Sequence, residues 1–202
     1  MKHHKPALFD PALFDQTASS NDPHEVAEAA HRTAAIVVGR GRESDDPEVN
    51  EKLIGLVKEL GLGTLAQMWA DRPARSLPGA LWRIYVLHEW VQRQPREVAA
   101  AFAAGSTHAE VSRVIAGVAE PPSPEDLMEL TRQILAGVFS GDLATALDRA
   151  SAFCHVMAVG LIDPNAHHED VSKEQIAQAS RMHTTAQDLH QSARLWRQGR
   201  LL

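Results

Sequence analysis

The chain has 202 residues and a formal net charge of −6; 44% of its residues are apolar and only 5% aromatic. That length carries one core, and an alanine-rich, aromatic-poor composition favours close-packed helices over a sheet. The acidic balance argues against a nucleic-acid partner held by counterion release, and without a run of ~18 apolar residues no membrane span is expected.

Residues 1–21 read as a tail in front of a helical domain over 22–202. The start Met1-Lys2-His3-His4 is basic but has no apolar stretch behind it, unlike a secretory signal. The single cysteine, Cys154, leaves no internal disulfide and fits a reducing, cytoplasmic setting. The tail holds a tandem repeat, Pro6-Ala-Leu-Phe-Asp10 then Pro11-Ala-Leu-Phe-Asp15. Each copy offers a Leu-Phe anchor beside an acid, so Phe9 and Phe14 are candidate interaction residues. A tail lying along its own domain is the alternative.

Asp22-Pro23 with Glu25 then supplies an N-cap, a proline at the first helical position and a capping-box acid. The helix it starts is expected to reach about Arg40, with Val26, Ala30, Thr33 and Val37 inward. Asp46-Pro47 repeats the signal for a helix carrying Val49, Leu53, Leu56 and Leu60, closed by Gly61 and Gly63. A short helix follows over 64–70. Ser76 caps a helix over 77–93 that holds Trp82, Trp90 and the only tyrosine, Tyr85. It is apolar around nearly its whole circumference, so it is expected to be the central element the other helices pack around. His88 shares its most apolar side with Leu81 and Ile84.

Pro95 begins another helix with Val98, Ala101 and Phe102 inward, and a helix over 107–118 carries Val111, Val114, Ile115 and Val118. Glu120-Pro-Pro-Ser-Pro124 is the clearest break in the chain and marks a candidate subdomain boundary near 119–124; either half alone is small for its own core. Leu127, Leu130, Ile134 and Val138 line the next helix. Asp142 caps one carrying Leu143, Leu147, Ala150, Cys154 and Met157. Ser172 with Gln175 makes a capping box for the last helix, which runs to about Gln198. These nine candidate stretches, with no period-two alternation, predict an all-α single domain of about seven or eight helices, bundled or orthogonal.

Eleven histidines invite a metal reading. His183, Gln187 and His190 lie at i, i+4 and i+7 beside the apolar stripe of the last helix, where imidazoles can reach a neighbouring helix and hold zinc or iron. His24, Glu28 and His31 share the same spacing but point away from the inner face of their helix, toward solvent. The loop His167-His168-Glu169-Asp170 is either an ion site or a polar loop placing acids before a helix N-terminus. His88 is either a hydrogen-bonded core histidine or a polar group in a ligand pocket lined by Trp82, Tyr85 and Trp90.

Signatures of an enzyme are lacking: there is no Gly-x-Ser-x-Gly elbow, Walker loop or dinucleotide fingerprint. Cys154 and His155 are adjacent, so on a helix they point ~100° apart and make a poor thiolate–imidazolium couple. Gly39-Arg-Gly-Arg42 follows a helix rather than opening one, which weakens a phosphate-binding reading. At the C-terminus, Trp196 and Arg197 with Leu201 and Leu202 form either an interface or an end that docks on its own domain.

The stretch Leu77-Pro-Gly-Ala-Leu-Trp-Arg-Ile-Tyr-Val-Leu-His-Glu-Trp90, with Pro95-Arg-Glu-Val98 and Ala193-Arg-Leu-Trp-Arg-Gln-Gly-Arg-Leu201, resembles an all-helical family of actinobacterial proteins without an established activity. Some members carry the label of an RNA polymerase beta subunit, but this chain is far shorter than the large polymerase subunit and lacks its catalytic motifs. The resemblance covers about a fifth of the chain, implies a bacterial cytoplasmic protein and transfers no catalytic residues. The expected role is a non-enzymatic helical protein that binds a protein partner or itself. The alternatives are a small-molecule or metal-binding domain using His88 or His183 and His190, and a transcription-associated regulator.

Overall fold

A computed structural model of the protein describes residues 23–43, 62–117, 123–139, 142–162 and 171–202. The tail with Phe9 and Phe14, the helix expected after Asp46-Pro47 and the loop holding His167 and His168 lie outside the described residues. Within them the chain forms eight α-helices and no strand: α1 (Pro23–Glu43), α2 (Leu62–Trp69), α3 (Leu77–Arg93), α4 (Pro95–Ser106), α5 (Glu110–Ala116), α6 (Pro124–Phe139), α7 (Leu143–Gly160) and α8 (Lys173–Arg197).

Local chemistry sets the helix ends. Ser76 Oγ accepts from the Gly79 amide to open α3, and Asp142 does the same for Thr145 in α7. At α8, Ser172 and Gln175 satisfy each other's backbone amides as a capping box. The end of α8 is a left-handed glycine stop. With Gly199 at φ +67°, its amide bonds to Trp196 O at 2.9 Å and the Arg200 amide to Leu195 O at 2.8 Å. This turn sends the chain back onto the domain, burying Leu201 and bringing Leu202 O within 2.8 Å of the Leu77 amide.

One core runs through the helices on both sides of the proline-rich break. The Trp-rich helix α3 packs against α1, α2, α4, α6, α7 and α8, which makes it the junction of the fold. It is not wrapped on all sides, however. Leu77, Leu81, Ile84, Leu87 and Val91 are buried, while Trp82 and Trp90 are partly buried and Val86 is exposed. The most deeply enclosed element is α7, whose Leu143, Leu147, Phe153, Cys154, Val156 and Met157 are all fully buried between α3, α4, α5, α6 and α8.

Small residues permit that enclosure. Gly105 of α4 and Gly160 of α7 meet at the helix crossing: a Cβ on Gly160 would run into Ala101 O and lie 2.7 Å from the Gly105 amide nitrogen. On the opposite flank Ser151 Oγ donates to Ala186 O at 2.7 Å, and Arg197 pairs with Asp148 at 2.5 Å. These contacts set the antiparallel register of α7 and α8, with 148 beside 190 and 155 beside 183.

Candidate functional site

Three surface features bear on function, and the helix register builds each of them. The first is an aromatic groove of about 460 Å³ where Gly63 and Gln67 of α2 face Trp82, Tyr85, Glu89, Trp90 and Arg93 of α3. Trp82 and Tyr85 stand 5.9 Å apart between ring centroids, tilted by 33°. Trp90 Nε1 donates to Gln94 Oε1 at 2.8 Å, and Arg93 pairs with Glu89 at 3.0 Å. Partial burial first, and the Glu89 carboxylate second, hold the Tyr85 hydroxyl above its ordinary pKa, with Arg93 opposing.

This groove unites three of the four residues expected to line a ligand pocket, and excludes the fourth. His88 sits on the far side of α3, half-buried against α6, with Nδ1 3.4 Å from Thr131 Oγ1. Thr131 Oγ1 also lies within hydrogen-bond distance of Leu127 O and Met128 O, so the threonine ties the imidazole to the α6 backbone. His88 therefore acts as a bridge between α3 and α6, and of the four residues expected in a pocket only the three aromatics line this groove, beside Gly63, Gln67, Glu89, Arg93 and Gln94.

The second feature is a groove of about 440 Å³ between α5, α7 and α8. Three imidazoles line it: His155 from α7, and His183 and His190 from α8. The ring centroids of His155 and His183 are 5.7 Å apart at an interplanar angle of 49°. Gln187 stands 2.9 Å from Nε2 of His183. His190 is directed elsewhere, to Asp148 at 3.3 Å, where the carboxylate also receives Arg197. The expected His183/His190 pair is thus divided by the structure, each imidazole meeting a different group on α7. Sequence reading passed over His155 as a partner because it was weighed only against its neighbour Cys154. That cysteine is fully buried on the other side of α7, and burial pushes its thiol up to about 12, so it is no nucleophile. Among the described residues no three His, Cys, Asp or Glu side chains converge on one point.

The third feature is the outer side of α5. Val111, Val114 and Ile115 are 75%, 67% and 50% exposed, while Ala109 and Ala116 face the core. The sequence pattern gave this helix the apolar positions Val111, Val114, Ile115 and Val118; the structure turns the first three to water, and Val118 lies outside the described residues. α5 packs against α7 with Ala116 buried, and Arg149 of α7 caps its end by donating to Ala116 O at 3.2 Å.

Trp196 and Arg197, the other candidate interaction residues, are used within the fold. Trp196 packs against the core and Arg197 holds Asp148. The remaining sites are structural or open. His24 and Glu28 are exposed, with Glu28 paired to Arg32 at 2.6 Å. Among the described residues no helix is long and apolar enough to cross a membrane. Comparison with protein-family models, with curated proteins and with solved structures finds no match to this chain.

Proposed function

We propose that the protein is a non-enzymatic helical domain that binds another protein, with α5 as the helix it inserts into an apolar groove of that partner. The observation that carries this reading is the exposure of Val111, Val114 and Ile115 on one side of a seven-residue helix. Their positions, i, i+3 and i+4, are the anchor spacing of helix-in-groove recognition. Three such side chains expose on the order of 300 Å², the size of the largest apolar patch on a typical monomer and often a functional one. That is well short of the roughly 800 Å² per partner of a stable interface, so the patch serves as an anchor for a partner that also grips the polar rim. Glu110 and Arg113, on the same helix, supply that rim.

A photo-crosslinking residue at position 112, on α5 beside the apolar side chains, followed by identification of the adduct and titration of the purified partner, tests the proposal. Each Val→Ser change at 111 and 114 is expected to weaken that complex about tenfold, from ~1.5 kcal/mol of lost burial per side chain. Val86→Ser, on the exposed side of α3, is expected to leave it unchanged. An adduct with a second copy of this chain, or a partner insensitive to both α5 changes, would overturn the assignment.

A further inference from the structure

We propose that His155 and His183 together bind a first-row divalent cation of the zinc class in the groove between α7 and α8. The two imidazoles come from different helices, yet their ring centroids are already 5.7 Å apart. A metal bound by two imidazole nitrogens at ~2.0–2.1 Å in tetrahedral geometry puts those centroids about 5.2 Å apart. The centroid separation is thus within about half an ångström of that value, which leaves side-chain torsions to aim the two nitrogens at one metal.

The surroundings favour the metal over a chance encounter of rings. The register that opposes the two histidines is held one and two turns along α7, both on the same side of the pair, by Ser151 to Ala186 O and by Asp148 to His190 and Arg197. Gln187 lies 2.9 Å from Nε2 of His183. The contacting atom is the Gln187 amide nitrogen, which can only donate, so Nε2 of His183 carries the lone pair that a metal would take in place of this exposed hydrogen bond. Imidazole selects zinc, copper or nickel over magnesium or calcium. No third His, Cys, Asp or Glu converges here among the described residues, so the protein supplies two ligands and water fills the remaining positions. Such a site is open on one side to the groove, where Ile115 of α5 forms part of the wall.

Titration calorimetry of the full-length protein with Zn²⁺ alone tests this, comparing wild type with His155→Gln, His183→Gln and His190→Gln. Because the chain has eleven histidines, the readout is the difference between isotherms. One equivalent of Zn²⁺ is expected to disappear in His155→Gln and in His183→Gln and to persist in His190→Gln. That same equivalent is expected to weaken as the pH falls from 7.5 to 5.5, since protons compete for both ligands. His183 is exposed on α8, so its variant keeps the fold, which circular dichroism checks. Isotherms that coincide for wild type, His155→Gln and His183→Gln would overturn the proposal, as would loss of the same equivalent in His190→Gln.

Discussion

Replacing Gly160 by alanine tests the packing at the heart of the fold. In an isolated helix the change is favourable by about 1 kcal/mol, because alanine loses less backbone freedom than glycine. Here the new methyl would run into the Ala101 carbonyl and sit 2.7 Å from the Gly105 amide nitrogen. Both obstacles are backbone, so no rotamer change relieves them and α4 must move off α7 by more than 1 Å. Overpacking that side chains can absorb already costs about 1–3 kcal/mol. A backbone clash lies at or above the upper end of that range, and separation also loosens Phe102 from Phe153, whose rings stand 5.2 Å apart. Net of the propensity gain, Gly160→Ala is expected to destabilise by about 2–3 kcal/mol. For a chain of this size that is a fall in melting temperature of about 5–10 °C. Urea unfolding gives the free energy directly. Gly39→Ala is the control: its methyl meets nothing within 4 Å, so the propensity term of about 0.5–1 kcal/mol acts alone and stabilises. A Gly160→Ala protein as stable as wild type would refute the close helix crossing.

Two further outcomes follow from buried polar chemistry. Arg75 reaches across 113 residues of sequence to Asp188 at 2.9 Å, and only 12% of the Asp188 side chain is exposed. Arg75→Ala is expected to lower stability by about 1–3 kcal/mol by leaving that carboxylate unpaired, measured from the urea midpoint, and a change below 0.5 kcal/mol would contradict it. The thiol of Cys154, raised to about 12 by burial, stays protonated throughout the neutral range. Iodoacetamide at pH 8 is therefore expected to leave the folded protein unlabelled and to react fully in urea, whereas stoichiometric labelling of folded protein within minutes would show that the site opens.

The helical class, the helix starts and much of the core were legible in the sequence because each rests on local chemistry. Ser76, Asp142 and the Ser172/Gln175 box all cap where their side chains predict. Leu127, Leu130, Ile134 and Val138 are buried as their spacing implies. In α1, however, the buried line is Ala30, Ala34 and Val38, one step around from the expected face. In α5 the valines and isoleucine point outward and Ala116 inward. Reading hydrophobic bulk as burial passes over Ala34 in α1 and Ala116 in α5, both of which are fully buried. The histidine groove escaped for another reason: the pairing of 155 with 183 depends on the register of α7 against α8, which no helical period contains.

The way α5 is attached has a consequence for how such a protein changes over evolutionary time. Its outward side chains contribute almost nothing to the shared core, while the buried Ala116, the preceding Ala109 and the Arg149 cap lie on its inner side. Substitution at 111, 114 or 115 can therefore alter what is recognised at little cost to the scaffold. Substitution on the alanine side alters the scaffold first. Recognition and folding are written on opposite faces of one seven-residue helix, and selection can act on each separately.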